Sequence, residues 1–511
     1  MGEGYDVDLA VVGSGGAAMS AAITARQAGR SVVMVERDTL GGTCVNVGCV
    51  PSKTLLAGAG ARHAALTNLF GGVPTSTGGV NLAALVGQKD ELVERLRQAK
   101  YGDVAAAYGF EVRPGHASFL DEDTLAVDGQ PLSAGAYLVA TGAEPARPDL
   151  RGLDKVDWLT STTAMEQAEL PESLVVIGGG YVGMEQAQLF AHLGAAVTLV
   201  GRLAPRAEPE LADALRAVFA DDGITVAEEH AVAVEPAGDQ VVVTTTSARR
   251  VSGGRLLVAT GRSARTDGLR LAAAGVATDE RGFVVVDEHQ RTSNPRVYAA
   301  GDVSGAPQYV YVAAAGGRVA ALNALTDGGG DPTARVDYAG LPTVVFTRPQ
   351  LASAGLTKAQ ALEQGYRCDC RVLNLGDVPR ALVNHDTRGE VKLVADAATG
   401  AVVGVHALAD GAGEIMLAAT YAIKAKMTVD DVADTWAPYL TMAESLRIVA
   451  GCFAIRCRPP AVRDAPRPDQ ARPEPRWVGP LRSGGRRSPS LTSPRAAARH
   501  ATPTSSRRRS N

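Results

Sequence analysis

Short apolar runs closed by glycine-rich turns and followed by alanine-rich stretches set the rhythm of the first two thirds of the chain. Asp8-Leu-Ala-Val-Val-Gly-Ser-Gly-Gly-Ala-Ala18 reads as a buried strand, a tight turn and a helix running to Gln27. Leu174-Val-Val-Ile-Gly-Gly-Gly-Tyr-Val-Gly183 repeats the arrangement about 165 residues later. An uninterrupted apolar run of this length, bounded by glycine, suits a strand covered on both faces, as in a parallel sheet. Tyr137-Leu-Val-Ala-Thr-Gly142 and Leu257-Val-Ala-Thr-Gly261 are further strand-to-turn segments, and Arg296-Val-Tyr-Ala-Ala-Gly-Asp302 sets a carboxylate at a strand end. After about residue 337 the pattern changes to strands at 343–346 and 391–394 and a helical stretch over 413–425. The expected fold class is α/β, with two Rossmann-like dinucleotide-binding domains and a C-terminal α+β domain. From residue 458 onward Pro, Arg, Ser and Gly dominate without apolar periodicity, so no packed core is expected there.

Composition narrows the class. The 511 residues allow roughly three domains. No apolar run approaches the ~20 residues that cross a bilayer. Glu3, Asp6 and Asp8 rule against a signal peptide, and Asp6 stands where a myristoylation signal needs Ser or Thr. Six cysteines are too sparse for a secreted disulfide scaffold, so a cytoplasmic protein with no membrane partner is expected. The net charge of −4 conceals thirteen Arg in residues 458–511 against Asp464, Asp469 and Glu474, which leaves an acidic body. Without an aromatic or motif signature, this basic tail does not argue for nucleic acid.

Each glycine-rich turn lets backbone N–H groups approach a pyrophosphate at a helix N-terminus. One such turn is weak evidence, whereas two imply electron transfer between two dinucleotides. Glu36, 23 residues beyond Gly13, ends Val32-Val-Met-Val-Glu36 and suits an unphosphorylated ribose. The equivalent place after Gly178 is Gly201, followed by Arg202 and Arg206. Two guanidinium groups around a missing carboxylate favour a 2′-phosphate, hence NADPH over NADH.

Cys44-Val-Asn-Val-Gly-Cys49 carries the reactive chemistry. No second ligand pair follows to complete a zinc site. The spacing alone suits either two inert buried thiols or a disulfide that opens at a helix start, where the positive helix end favours a thiolate. Elsewhere, Cys368-Asp-Cys370 lies on an expected strand, and its thiols are expected on opposite faces, unable to chelate together.

These landmarks, in this order, resemble the flavoprotein disulfide reductase family, which includes glutathione reductase and lipoamide dehydrogenase. The resemblance covers residues 5 to about 450. It implies an FAD domain (1–155 and 267–337), an NAD(P)H domain (156–266) and a dimerisation domain (338–457) of a homodimer. By resemblance FAD is held by Gly13, Gly15, Ala18, Glu36, Gly42, Thr43, Lys53, Ala117, Thr141, Gly142 and Asp302. NADPH is held by Gly178, Gly180, Gly183, Arg202, Arg206 and Gly261. The resemblance further implies that Cys49 is the flavin-proximal thiolate and Cys44 the outer exchange thiol. It gives Lys53 and Glu185 as an ion pair beside the flavin, and Tyr181 as the gate that shields it.

The expected substrate follows from a residue type that is missing. Members that reduce disulfides protonate the departing thiolate with a His in a His-Pro-x-x-x-Glu pattern. Here that stretch is Trp436-Ala-Pro-Tyr439-Leu-Thr-Met-Ala-Glu444, and no His occurs between His406 and His500. A soft metal ion needs no such acid and prefers thiolate ligands. The same stretch, with Thr43-Cys-Val-Asn-Val-Gly-Cys-Val-Pro-Ser-Lys53, resembles the mercuric reductase branch of the family. That branch implies Hg(II) as the substrate held by Cys44 and Cys49, with Tyr439 reaching across the dimer. Its vicinal C-terminal Cys-Cys is absent; Cys452 and Cys457 follow instead, not adjacent, and then the Arg/Pro tail, which resembles translation in a shifted frame. The rival readings are an NADPH-dependent reductase of a small disulfide and an FAD-binding remnant without turnover.

Overall fold

The computed structural model describes residues 4–326 and 333–454. Cys457 and the Arg/Pro-rich stretch lie outside them. The first sheet runs Glu111–Pro114, Val32–Glu36, Val7–Val12, Gln130–Val139 in parallel, and Val297–Ala299 joins the far side of Gln130–Val139. Thr124–Val127 and Ala117–Phe119 extend it antiparallel. In the central strand Val7–Val12 the last four residues are buried, which is why Leu9-Ala-Val-Val12 reads as an unbroken apolar run. The helix Gly16–Gln27 packs against a helix from much later in the chain, Val310–Ala324. They touch backbone to backbone, since a Cβ at Gly317 would lie 2.0 Å from the Ala17 carbonyl oxygen. Two distant stretches of sequence therefore build one layer.

A second parallel sheet is interposed, in the order Thr225–Ala227, Ala196–Val200, Ser173–Ile177, Arg255–Val258, Trp158–Leu159. Its helix Tyr181–Leu193 buries ten of its thirteen residues, the apolar Leu189, Phe190 and Leu193 together with the polar Glu185, Gln186, Gln188 and His192. A helix so covered belongs between layers, and this one meets Cys49–Leu66 on its other side. The three-stranded antiparallel sheet Ala231–Ala237, Gln240–Thr245, Arg250–Gly253 completes this region.

The third region is an antiparallel sheet ordered Pro342–Val345, Gln350–Gly355, Val402–Ala409, Glu390–Asp396, Cys368–Asn374, with Ala412–Lys424 and Glu444–Gly451 against one face. The opposite face meets the second region through charge. Lys392, 2 % exposed, donates to Glu208 at 2.8 Å and to Glu210 at 3.0 Å, so its buried ammonium is compensated. A second knot gathers around the buried Asp222 carboxylate. His192 meets it at 3.0 Å, Gln188 donates to it at 2.7 Å, and His63 and Arg388 approach at 3.6 and 3.7 Å.

Cys368–Asn374 corrects one expectation. Strand side chains alternate with a period of two, so positions 368 and 370 share a face rather than opposing one another. The alternation is visible in the neighbours. Arg371, of the other parity, donates to the Cys452 carbonyl at 3.3 Å and lies over the Phe453 ring, whereas Val372 is paired with Lys392.

Candidate active site

The thiols are placed by two glycine breaks. Gly41 and Gly42 both adopt positive φ, and a Cβ on Gly42 would sit 2.6 Å from the Gly15 Cα. The segment bearing the thiols is thus pressed directly on the first glycine-rich turn. The short helix Gly42–Asn46 carries Cys44, the chain turns at Gly48, and the helix Cys49–Leu66 starts at Cys49 itself. Pro51 falls in its first turn, where no intrahelical N–H is required. Both cysteines are free thiols in this structure.

The two thiols are electrostatically unequal. Cys49 is pulled down to about 7, first by the hydrogen bond from the Cys44 thiol and then by the Lys53 charge, while burial and Glu185 oppose. Cys44 is pushed far above the usual thiol range by the same hydrogen bond and by burial. Near neutral pH, Cys49 is therefore the thiolate and Cys44 the proton holder.

Lys53 Nζ meets the Glu185 carboxylate at 2.8 and 3.1 Å, bringing together residues 132 positions apart. The Phe346 amide also donates to Glu185 at 2.9 Å, and Lys53 Nζ lies 4.5 Å from the Phe346 ring centroid. The carboxylate is thus held from two sides and in turn aims the lysine. Tyr181 opens its helix directly after Gly180, with its ring centroid 6.5 Å from that of Tyr309, which stacks on Tyr311 at 5.3 Å. Burial raises the Tyr309 and Tyr311 phenols, Tyr311 to about 12 with Tyr181 and Cys49 contributing. Tyr101 is likewise raised to about 12 by burial and by the two thiols. Tyr101, Tyr309, Tyr311 and Phe346 were missed by sequence reasoning. The aromatic cluster Tyr309-Val-Tyr311 at a helix start was their only signal.

The dinucleotide turns have the form a pyrophosphate requires. Gly13 has φ +102°, and a Cβ there would lie 2.5 Å from the Ala140 carbonyl oxygen. Gly15 caps the helix, and Ala18 is fully buried beneath it. Ser14 donates to Glu36 at 2.5 Å and accepts from the Gly41 amide at 2.9 Å, tying the ribose-type acid to the thiol-bearing turn. Asp302 is half-buried opposite Arg262 at 3.7 Å; loss of solvent raises its carboxyl and lowers the guanidinium, and the charge of each partner opposes the shift of the other. Arg262 Nε is buried without a hydrogen-bond partner among the described residues. A buried, unsatisfied donor beside a half-buried carboxylate fits a polar cofactor chain laid between them. Thr141 donates to the Arg265 carbonyl at 2.6 Å, and the Gly142 carbonyl accepts from the Arg265 amide at 3.0 Å. Gly42 and Thr43 start the Cys44 helix, whereas Ala117 sits on the antiparallel extension, paired with Val127.

In the second turn a Cβ at Gly178 would lie 2.4 Å from the Ala259 oxygen, and one at Gly183 would lie 1.8 Å from the Gly178 oxygen. Gly180 caps the helix, and Gly261 accepts from Ala146 at 3.0 Å. Gly201 has φ +141°, a backbone state that disfavours the side chain an acid would need. Arg202 and Arg206 are exposed, and neither makes an ion pair among the described residues. Among the described residues Tyr439 joins no other site residue; it is 77 % exposed.

A redox-poised thiol pair pressed on one dinucleotide turn, with a second such turn nearby, defines a pyridine-nucleotide-linked thiol–disulfide oxidoreductase. Residues 7–317 match the pyridine nucleotide-disulphide oxidoreductase profile, and residues 341–450 match the dimerisation domain of the same group. The chain belongs to the pyridine nucleotide-disulphide oxidoreductase family. Within it, the chain is 52 % identical over 462 residues to a mercuric reductase from Streptomyces lividans, covering 88 % of this chain and 96 % of the relative. It is 46 % identical to a mercuric reductase from Lysinibacillus sphaericus, covering 87 % and 82 %. Among solved structures, the Cu(II) complex of the HOCl-induced flavoprotein disulfide reductase RclA from Escherichia coli superposes with TM-score 0.78 at 28 % identity, covering 88 % of this chain and all of that one.

Proposed function

We propose that the chain is an FAD-dependent enzyme that uses NADPH to reduce Hg(II) to Hg(0) at Cys44 and Cys49. The observation that carries this reading is the polarised thiol pair in a chain whose residues 407–454 contain no histidine. A leaving thiolate would need an acid that is missing, whereas a thiophilic ion needs only two sulfurs. Its resemblance to mercuric reductases over most of its length supports the same choice.

The chain's residues divide the work. Gly13, Gly15, Ala18, Glu36, Gly42, Thr43, Ala117, Thr141, Gly142 and Asp302 would hold FAD, with Arg262 on the far side of Asp302. Gly178, Gly180, Gly183 and Gly261 would hold NADPH, with Arg202 and Arg206 on its 2′-phosphate. Bound FAD supplies two-electron chemistry, linking hydride from NADPH to the thiol pair. Lys53, steadied by Glu185, holds positive charge where negative charge develops. Cys49, already ionised, captures Hg²⁺ first, and Cys44 binds as its proton leaves. Two electrons then convert the bound ion to Hg(0), so that NADPH and Hg²⁺ give NADP⁺, H⁺ and Hg(0). Tyr181 screens the site until nicotinamide displaces it.

The domain limits given above, a homodimer in which the exposed Tyr439 reaches the partner's thiols, and a cytoplasmic location complete the proposal. Among the described residues no helix is long and apolar enough to cross a membrane. Hg²⁺-dependent NADPH oxidation by the purified flavoprotein tests the function. Turnover with a small disulfide but not with Hg²⁺ would replace this reading with that of a disulfide reductase. Bound flavin without either turnover would mark a remnant.

A further inference from the structure

We infer that Cys368 and Cys370 form a second site for a soft, two-coordinate metal ion, separate from the redox pair and unable to reduce what it holds. Both thiols lie on the edge strand Cys368–Asn374, two residues apart, and both are partly exposed. Residues so placed share a face with Cβ atoms about 6.7 Å apart. That separation is too long for a disulfide, which needs about 3.5–4.5 Å between Cβ atoms. It suits an ion lying between two sulfurs, which at about 2.3 Å per bond sit about 4.6 Å apart. Each Cβ–Sγ bond has only to lean toward its neighbour. The geometry thus blocks the oxidised state and leaves bridging open.

The surroundings hold the pair as thiols until an ion arrives. Burial raises the Cys370 thiol, while Lys392, on the face the two cysteines share, and Lys358 act against that rise. Cys368 Sγ lies 4.0 Å from the Lys358 and Tyr366 carbonyl oxygens, at the open rim of the strand. Binding breaks two S–H bonds and forms two S–metal bonds, releasing two protons to solvent with no electron transferred. The pair lies in a different sheet region from Cys44 and Cys49 and has neither glycine-rich turn beside it. An ion there would be stored.

The test uses the full-length flavoprotein with Cys44, Cys49, Cys452 and Cys457 changed to Ser, titrated with HgCl₂ in the presence of a monothiol competitor. One Hg²⁺ retained per chain after gel filtration is expected, with two thiols lost to a chromogenic disulfide reagent and two protons released. Cys368→Ser or Cys370→Ser should weaken retention roughly hundredfold, because the second sulfur acts at high effective concentration. In the otherwise unaltered chain, the Cys368→Ser/Cys370→Ser double variant should retain one ion fewer and keep its NADPH oxidation rate, which secures the test should the multiple variant fail to fold. Two ions per chain, none, or undiminished retention by the single variants would overturn the proposal. These outcomes stand apart from whether the Cys44–Cys49 pair reduces mercury.

Discussion

Removing the Cys44 thiol should raise the pKa of Cys49, and the size of the change follows from the hydrogen bond between them. Cys49 sits at about 7 because Cys44 donates to it, with Lys53 adding a smaller contribution. A hydrogen bond to an ionised acceptor stabilises it by about 1.5–3 kcal/mol. The lower end applies here, since a thiol S–H is a weak donor. At about 1.4 kcal/mol per pKa unit, Cys44→Ala should move the midpoint up by about one unit, to about 8. The thiolate fraction at neutral pH then falls from about one half to about a tenth, and alkylation of Cys49 slows about fivefold. Cys44→Ser keeps a donor hydroxyl and should leave the midpoint near 7. The assay is the pH dependence of iodoacetamide labelling of Cys49 in the reduced protein, followed by peptide mass spectrometry. Equal midpoints for the Ala and Ser variants would refute the hydrogen bond as the cause. A lowered midpoint in Cys44→Ala would reverse the roles of the two thiols.

Further outcomes follow from other contacts. Changing Arg202 and Arg206 together to Ala should erase a preference for NADPH over NADH of about tenfold, read as the ratio of Kd values, since a charge-assisted phosphate contact is worth about 1.4 kcal/mol or more; equal affinities in the parent would contradict the assignment. Glu185→Gln leaves Lys53 without its anchoring charge and should slow mercury reduction at least about tenfold while NADPH Kd changes little, and a loss confined to Kd would place the pair in binding instead. His63 is held down at about 4 by burial, with the charge of His192 adding to the effect. Its folded-state value lies below the unfolded one, so the stability tied to its neutral form is complete above about pH 6.5 and is lost as pH falls toward 4. The fall in Tm between about pH 7 and 5 should therefore flatten in His63→Gln, and an unchanged slope would assign the acid sensitivity elsewhere. Tyr439→Phe should slow mercury reduction in the dimer without altering labelling of Cys49 in the same preparation; unchanged turnover would remove it from the site.

Much of the site was legible because its chemistry is local. Gly13, Gly178 and the Cys44–Cys49 spacing each impose a backbone shape on a few consecutive residues, and the structure builds those shapes where they were read. The Lys53–Glu185 pair was reached only through family resemblance, because 132 residues separate its members and no periodicity joins them. The contribution of Val310–Ala324 to the first layer is long-range in the same way. Phe346 and the Tyr309–Tyr311 stack went unassigned for a different reason: an aromatic residue at the edge of a strand or helix, even in a cluster, carries no sign of which cavity it will line. The Cys368–Cys370 expectation failed on parity, a property that the strand assignment itself already contained.

The central claim is that electrons from NADPH reach a mercuric ion held by Cys44 and Cys49, and its most direct measure is the stoichiometry of the reaction. The purified flavoprotein would be given NADPH and HgCl₂ anaerobically, with released mercury vapour and consumed NADPH counted together. One Hg(0) per NADPH is expected, with both quantities falling to background in Cys44→Ala and in Cys49→Ala. NADPH consumed without mercury vapour, or vapour undiminished in either variant, would contradict the assignment of this thiol pair as the seat of reduction.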